Sequence, residues 1–157
     1  MEPMHNIKDA ISNPIVLCSL LAWFVAQFLK VPLYYGVEHK LNWKRIVGSG
    51  GMPSSHSAMV IALMMSVGFL DGFDTAAFGI CVVLALIVMY DAIGVRRETG
   101  TQATVINRIL KEVFINGHRI SDEELKELIG HTPFEVLGGV VVGCLTTVFY
   151  LFVILKL

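Results

Sequence analysis

The feature that most restricts what this chain can become is a set of four long apolar runs, residues 14–33, 52–70, 75–95 and 134–155. Each reaches or approaches the roughly 18 to 20 residues that an α-helix needs to cross about 30 Å of hydrocarbon at about 1.5 Å per residue. A chain of 157 residues that is 55% apolar and only 16% charged is too hydrophobic for an ordinary soluble domain of this size. The expectation is an all-α integral membrane protein: one membrane domain over 1–157, four transmembrane helices and a short cytoplasmic helical loop. The first run is the shortest, but Val31-Pro32-Leu33-Tyr34-Tyr35 extends it and its tyrosines suit an interfacial belt. It is longer than the apolar core of a secretory signal and has no small-x-small cleavage site, which argues against a cleaved leader. Cys18, Cys81 and Cys144 all fall inside apolar runs and read as small hydrophobes.

The net charge of −1 becomes informative once the charges are sorted by loop. Segments 30–51 and 96–133 carry ten of the twelve basic residues, leaving Lys8 and Lys156 for the rest of the chain. The positive-inside rule then puts the loops 34–51 and 96–133 in the cytoplasm and both termini outside, in a multi-pass protein of the cell membrane. Asp71-Gly72-Phe73-Asp74 is short enough to make spans two and three an antiparallel hairpin. No nucleic-acid partner is expected. In the second loop, Val105, Ile106, Ile109, Leu110 and Val113 recur at helical spacing opposite Arg108, Lys111 and Glu112, which predicts an amphipathic helix over 104–114 at the membrane surface or against the bundle. Asn116-Gly117 breaks it, and Ser121 with Glu124 reads as a capping box for a second short helix ending near Gly130.

Polar residues next to apolar spans are expensive, so their depth carries information. Three clusters fall at the cytoplasmic ends of spans: Pro53-Ser54-Ser55-His56-Ser57, Asp91 with Arg96 and Arg97, and His131 with Glu135. Two of them open helices, where unpaired N–H groups and the positive end of the dipole favour an anion, and Pro53 and Pro133 both suit a first helical turn. Glycines 48, 50 and 51 would admit an anion close to backbone, and Lys44, Arg45, Arg96 and Arg97 would hold a phosphate-like group. Two histidines supply what metal-free phosphoryl transfer needs, one to attack phosphorus and one to protonate the departing oxygen. Glu135 stands four residues after His131, beside the imidazole if the helix includes both; if the helix starts at Pro133, His131 lies just outside it and helix geometry alone does not fix the contact. Each residue also has a plainer reading: Ser54, Ser55 and Ser57 as caps, Arg96 and Arg97 as positive-inside anchors, and Gly138, Gly139 and Gly143 as a helix-packing face.

With those residues in view, Pro53-Ser54-Ser55-His56 resembles the P-S-G-H motif of the type 2 phosphatidic acid phosphatase and vanadium haloperoxidase superfamily, and His131-x-x-x-Glu135 resembles the H-x-x-x-D end of its last motif. The segments GGMPSSHSAMV, YDAIGVRRETGTQA and GHTPFEVLGG are similar to its small divergent membrane branch, described as acid phosphatase/vanadium-dependent haloperoxidase related. The resemblance implies His131 as the nucleophile of a phosphohistidine, Glu135 orienting it and His56 as general acid. The superfamily's Arg-Pro and Ser-Arg pairs have no match here, Glu124 and Leu125 standing where the latter would be. The phosphate-binding candidates, Arg97, Arg96, Lys44 and Arg45 with Ser54 and Ser55, therefore come from the charge pattern. The superfamily's usual six spans are reduced to four, so a homodimer that completes the bundle is expected.

The function these residues imply is a membrane lipid-phosphate or lipid-diphosphate phosphatase with no required cofactor. One alternative is a non-catalytic lipid-phosphate binding or transport protein. Another is a divalent cation held by Asp91, His56, His131 and Glu135.

Overall fold

The protein is described by a computed structural model that covers residues 9, 11–39, 51–113 and 132–157. These residues form five α-helices and no strand: α1 (Pro14–Glu38), α2 (Ser55–Leu70), α3 (Ala76–Ile93), α4 (Val95–Val113) and α5 (Pro133–Phe149), the last running on as a π-helical stretch, Tyr150–Ile154. Asn13 caps α1, its Oδ1 accepting from the N–H of Ile15 at 2.9 Å ahead of Pro14 in the first turn. Thr75 caps α3 by accepting from the N–H of Phe78 at 3.2 Å.

Among the described residues, three helical stretches are long and apolar enough to cross a membrane, Pro14–Gly36, Ala76–Ile93 and Pro133–Ile154. The expected second span is a helix of 16 residues, which rises only about 24 Å. Its start also differs from expectation. Pro53 precedes the N-cap and does not open the helix, because the Ser54 hydroxyl satisfies the amide of Ser57 and so fixes the first helical residue at Ser55. Pro133 does stand in the first turn of α5.

Burial departs from that of a water-soluble bundle. Ser19, Gln27, Ser66, Thr146 and Thr147 are buried, whereas Phe24, Phe28, Ile80, Ile87, Val141 and Leu145 are exposed. That arrangement suits lipid outside and polar contacts between helices inside. Small residues bring the helices together: Cys18, Ala22 and Ala26 of α1, Ala58 and Ala62 of α2, and Tyr150 and Leu151 beyond α5 form one buried cluster. α2 lies in the middle, packed against α1, α3 and α5.

The glycine face of α5 has the packing role expected of it. A Cβ on Gly139 would overlap the Ser54 carbonyl oxygen and lie 2.8 Å from Cβ of Ser57, and one on Gly143 would lie 2.7 Å from the Ala58 carbonyl oxygen. Successive positions on α5 thus meet successive positions on α2, so these two helices run parallel. α1 is antiparallel to both, since Sγ of Cys18, near its start, lies 3.8 Å from Oγ1 of Thr147, near the end of α5. α3 returns beside α2 through the expected tight turn, where the N–H groups of Asp71 and Gly72 both donate to the Val67 carbonyl, at 2.9 and 3.2 Å. Gly72 takes a φ of 115°, in the region that favours glycine.

α4 begins nine residues earlier than the amphipathic pattern over 104–114 predicts, directly after Gly94. Arg96 and Arg97 therefore belong to the first turn of α4 and not to the end of the preceding span. Their side chains, like Lys44, Arg45, His131 and the helix expected from Ser121, lie outside the described residues. α4 buries Asn107 and leaves Val105, Ile106 and Ile109 exposed. Cys18, Cys81 and Cys144 are all free thiols; Cys18 is buried and the other two are half-buried.

Candidate anion site at two helix starts

The starts of α2 and α5 are tied together, because the N–H of Ser54 donates to the Glu135 carbonyl at 2.9 Å. Each start is capped by its own sequence. On α2 the Ser54 hydroxyl accepts from the N–H of Ser57 at 3.4 Å and from the Ser57 hydroxyl at 3.0 Å. Ser54, Ser55 and Ser57 are all buried. On α5 Thr132 and Glu135 form a reciprocal capping box: the N–H of Thr132 donates to Oε2 of Glu135 at 3.0 Å, and the N–H of Glu135 donates to the Thr132 hydroxyl at 3.3 Å. Two parallel helices therefore present their positive dipole ends side by side. The segment before α2 folds across the start of α5, with Met52 and Pro53 against Gly138, and Gly51 makes the approach with a φ of 91°.

Helix rise locates the remaining residues along the bundle. Asp91 is 15 residues past Ala76, and Ser55 is 15 residues before Leu70, so the hairpin sets both about 22 Å from its turn. Lys30 is 12 residues past Cys18, and Glu135 is 12 residues before Thr147; with Cys18 and Thr147 in contact, Lys30 and Glu135 share one level. The same end of the bundle thus holds Ser54, Ser55, His56, Asp91, Glu135 and Lys30. Lys30 is only 2% exposed, and Nδ1 of His56 is buried as well. Lys30, His56, Asp91 and Glu135 each take part in a further polar, ring or electrostatic contact.

Residues 11–146 match the family described as the Divergent PAP2 family. The chain belongs to the Divergent PAP2 family. It is 41% identical over 149 residues, 88% of this chain and 94% of the other, to a Bacillus subtilis (strain 168) protein named "Uncharacterized membrane protein YuiD". No solved structure matches it.

In this Divergent PAP2 protein the i,i+4 helical relation drawn from position 131 to Glu135 does not apply, because the helix starts at Pro133 with Thr132 as its cap. One carboxylate oxygen of Glu135 is committed to the Thr132 amide, and the residue makes a further contact besides. Among the described residues no group of three or more His, Cys, Asp and Glu side chains is placed to hold a metal ion; His131 of the alternative metal quartet is outside that set. The sequence reading missed Gln27 and Lys30. A signal existed: two polar residues three apart inside an apolar run point to function by default. Lys30 was absorbed into the tally of cytoplasmic charge.

Proposed function

We propose that this Divergent PAP2 protein is a membrane lipid-phosphate or lipid-diphosphate phosphatase that works through a phosphohistidine at the cytoplasmic face. The observation that carries the reading is the joining of two helix N-termini through the Ser54 to Glu135 hydrogen bond, at the level where Lys30 is buried. Adjacent positive dipole ends and a buried cation make a concentrated positive potential, which an anionic phosphoryl group neutralises. His56 stands in the first turn of α2, and position 131 immediately precedes the α5 cap. In the reaction, a ring nitrogen of His131 attacks phosphorus as the bond from phosphorus to the lipid oxygen breaks, and His56 gives that oxygen its proton. Water then attacks the phosphohistidine, His56 takes the water proton, and inorganic phosphate leaves.

The test is release of phosphate from lipid mono- and diphosphates by purified protein. His131→Ala is expected to lose turnover by at least about a hundredfold while remaining folded; full activity in that variant would remove the mechanism. The capping-box role of Glu135 favours a second reading, a lipid-phosphate binding or transport protein, because a carboxylate held by Thr132 is less available to orient an imidazole. Labelled phosphohistidine trapped after mixing with substrate separates enzyme from binder.

A further inference from the structure

The buried face of α1 carries two polar side chains, Lys30, whose charge the phosphatase reading already uses, and Gln27, which it does not. Gln27 is 6% exposed and Lys30 is 2% exposed; Gln27 directly follows Ala26, and Lys30 stands one turn beyond it in line with Cys18, Ala22 and Ala26. Lysine is almost never buried to this degree without an anionic or strongly polar partner. Oε1 of Gln27 is a buried acceptor with no hydrogen-bond partner among the described residues. Such a group destabilises the fold unless something supplied from elsewhere satisfies it. The i,i+3 spacing sets the two side chains on one face. With 2% of its surface exposed, Lys30 keeps its ammonium within the bundle and does not snorkel to the surface.

We infer that Gln27 and Lys30 form a phosphoryl-binding subsite on α1, facing the paired starts of α2 and α5. The inference rests on the phosphoryl site proposed above and adds a third wall to it. Lys30 provides the charge, and a phosphoryl oxygen would share its ammonium with the contact that Lys30 already makes. The Gln27 amide serves a phosphoryl group in either orientation, its oxygen accepting from a protonated phosphate oxygen or its nitrogen donating to an ionised one. The charge that holds the substrate is thereby assigned to the transmembrane bundle as well as to the basic loops.

Orthophosphate binding to the purified full-length protein in detergent, read by calorimetry together with thermal unfolding in phosphate-free buffer, tests this. Gln27→Leu is the informative variant. It should weaken phosphate binding about tenfold while leaving the phosphate-free unfolding midpoint level or higher, because an apolar side chain of similar size removes the orphaned acceptor. Lys30→Gln should weaken binding by about tenfold to a hundredfold, with Lys30→Arg recovering part of the loss. Wild-type affinity in Gln27→Leu, or a fall in stability alongside affinity, overturns the subsite, as does wild-type protein that binds no phosphate. A wild-type protein that binds phosphate through these residues but hydrolyses no lipid phosphate supports the subsite and removes the phosphatase reading. Hydrolysis with unchanged kinetics in both variants does the reverse.

Discussion

At Gly139 the structure has no room for a side chain. A Cβ there overlaps a backbone carbonyl, that of Ser54, which cannot move without disturbing the α2 cap. Gly138 is different: its nearest neighbour would be the terminal carbon of Met52 at 3.1 Å, the far end of a flexible chain. Gly139→Ala is therefore expected to lower stability by about 1–3 kcal/mol, and Gly138→Ala by much less, measured as detergent-phase unfolding midpoints. Equal effects would show that α5 does not seat against the Ser54 backbone. The small-residue spacing made this face legible in sequence, because packing at Gly-x-x-x-Gly depends on local pattern alone. Lys30 was legible as a polar residue within an apolar run, but not as a buried one. In sequence a lysine at the end of an apolar run looks the same whether it faces lipid headgroups or the interior, and only the register of α1 against α2 and α5 decides.

At the scale of elements, helix starts account for both the success and the error. Apolar length marks the stretches that hold α2 and α5, but the expected span 52–70 takes in Pro53, which lies outside α2. A serine hydroxyl one residue later outcompeted it, since it satisfies an orphan amide and proline only tolerates the position. The Thr132-x-x-Glu135 capping box was visible in sequence and passed over in favour of an i,i+4 contact from His131. The early onset of α4 is not legible in sequence, because residues 95–103 mix helix formers with Val95, Thr99, Gly100 and Thr101 and show no apolar periodicity. The caps are testable together. Ser54→Ala should cost about 1 kcal/mol of stability. Ser57→Ala alone should cost less, and the double variant less than the sum, because one hydroxyl pair at 3.0 Å is counted in both single changes. Strict additivity in the unfolding midpoints would mean that the two hydroxyls act independently.

For the whole molecule, the open structural question is whether α2 crosses the membrane, as four spans require. Its 16 residues rise about 24 Å, short of about 30 Å of hydrocarbon. Two features favour crossing. α2 is the central helix, wrapped by α1, α3 and α5, so much of its surface meets protein and the mismatch with lipid is borne by its longer neighbours. Its far end turns through Asp71 and Asp74, both exposed, and exposed carboxylates are tolerated in headgroups or water but not in hydrocarbon. Crossing puts the 71–75 turn opposite the paired helix starts, on the side assigned to both termini by the excess of basic residues in the loops 34–51 and 96–133. In a variant with Cys18, Cys81 and Cys144 replaced by alanine, Asp74→Cys should react with a membrane-impermeant maleimide added outside intact cells, whereas Lys44→Cys should react only after the membrane is opened. Labelling of both cysteines from the same side would sink the four-span topology. Labelling of Lys44→Cys from outside would also separate the α2 start from the cytoplasmic face, and the proposed site would then have to be approached from elsewhere.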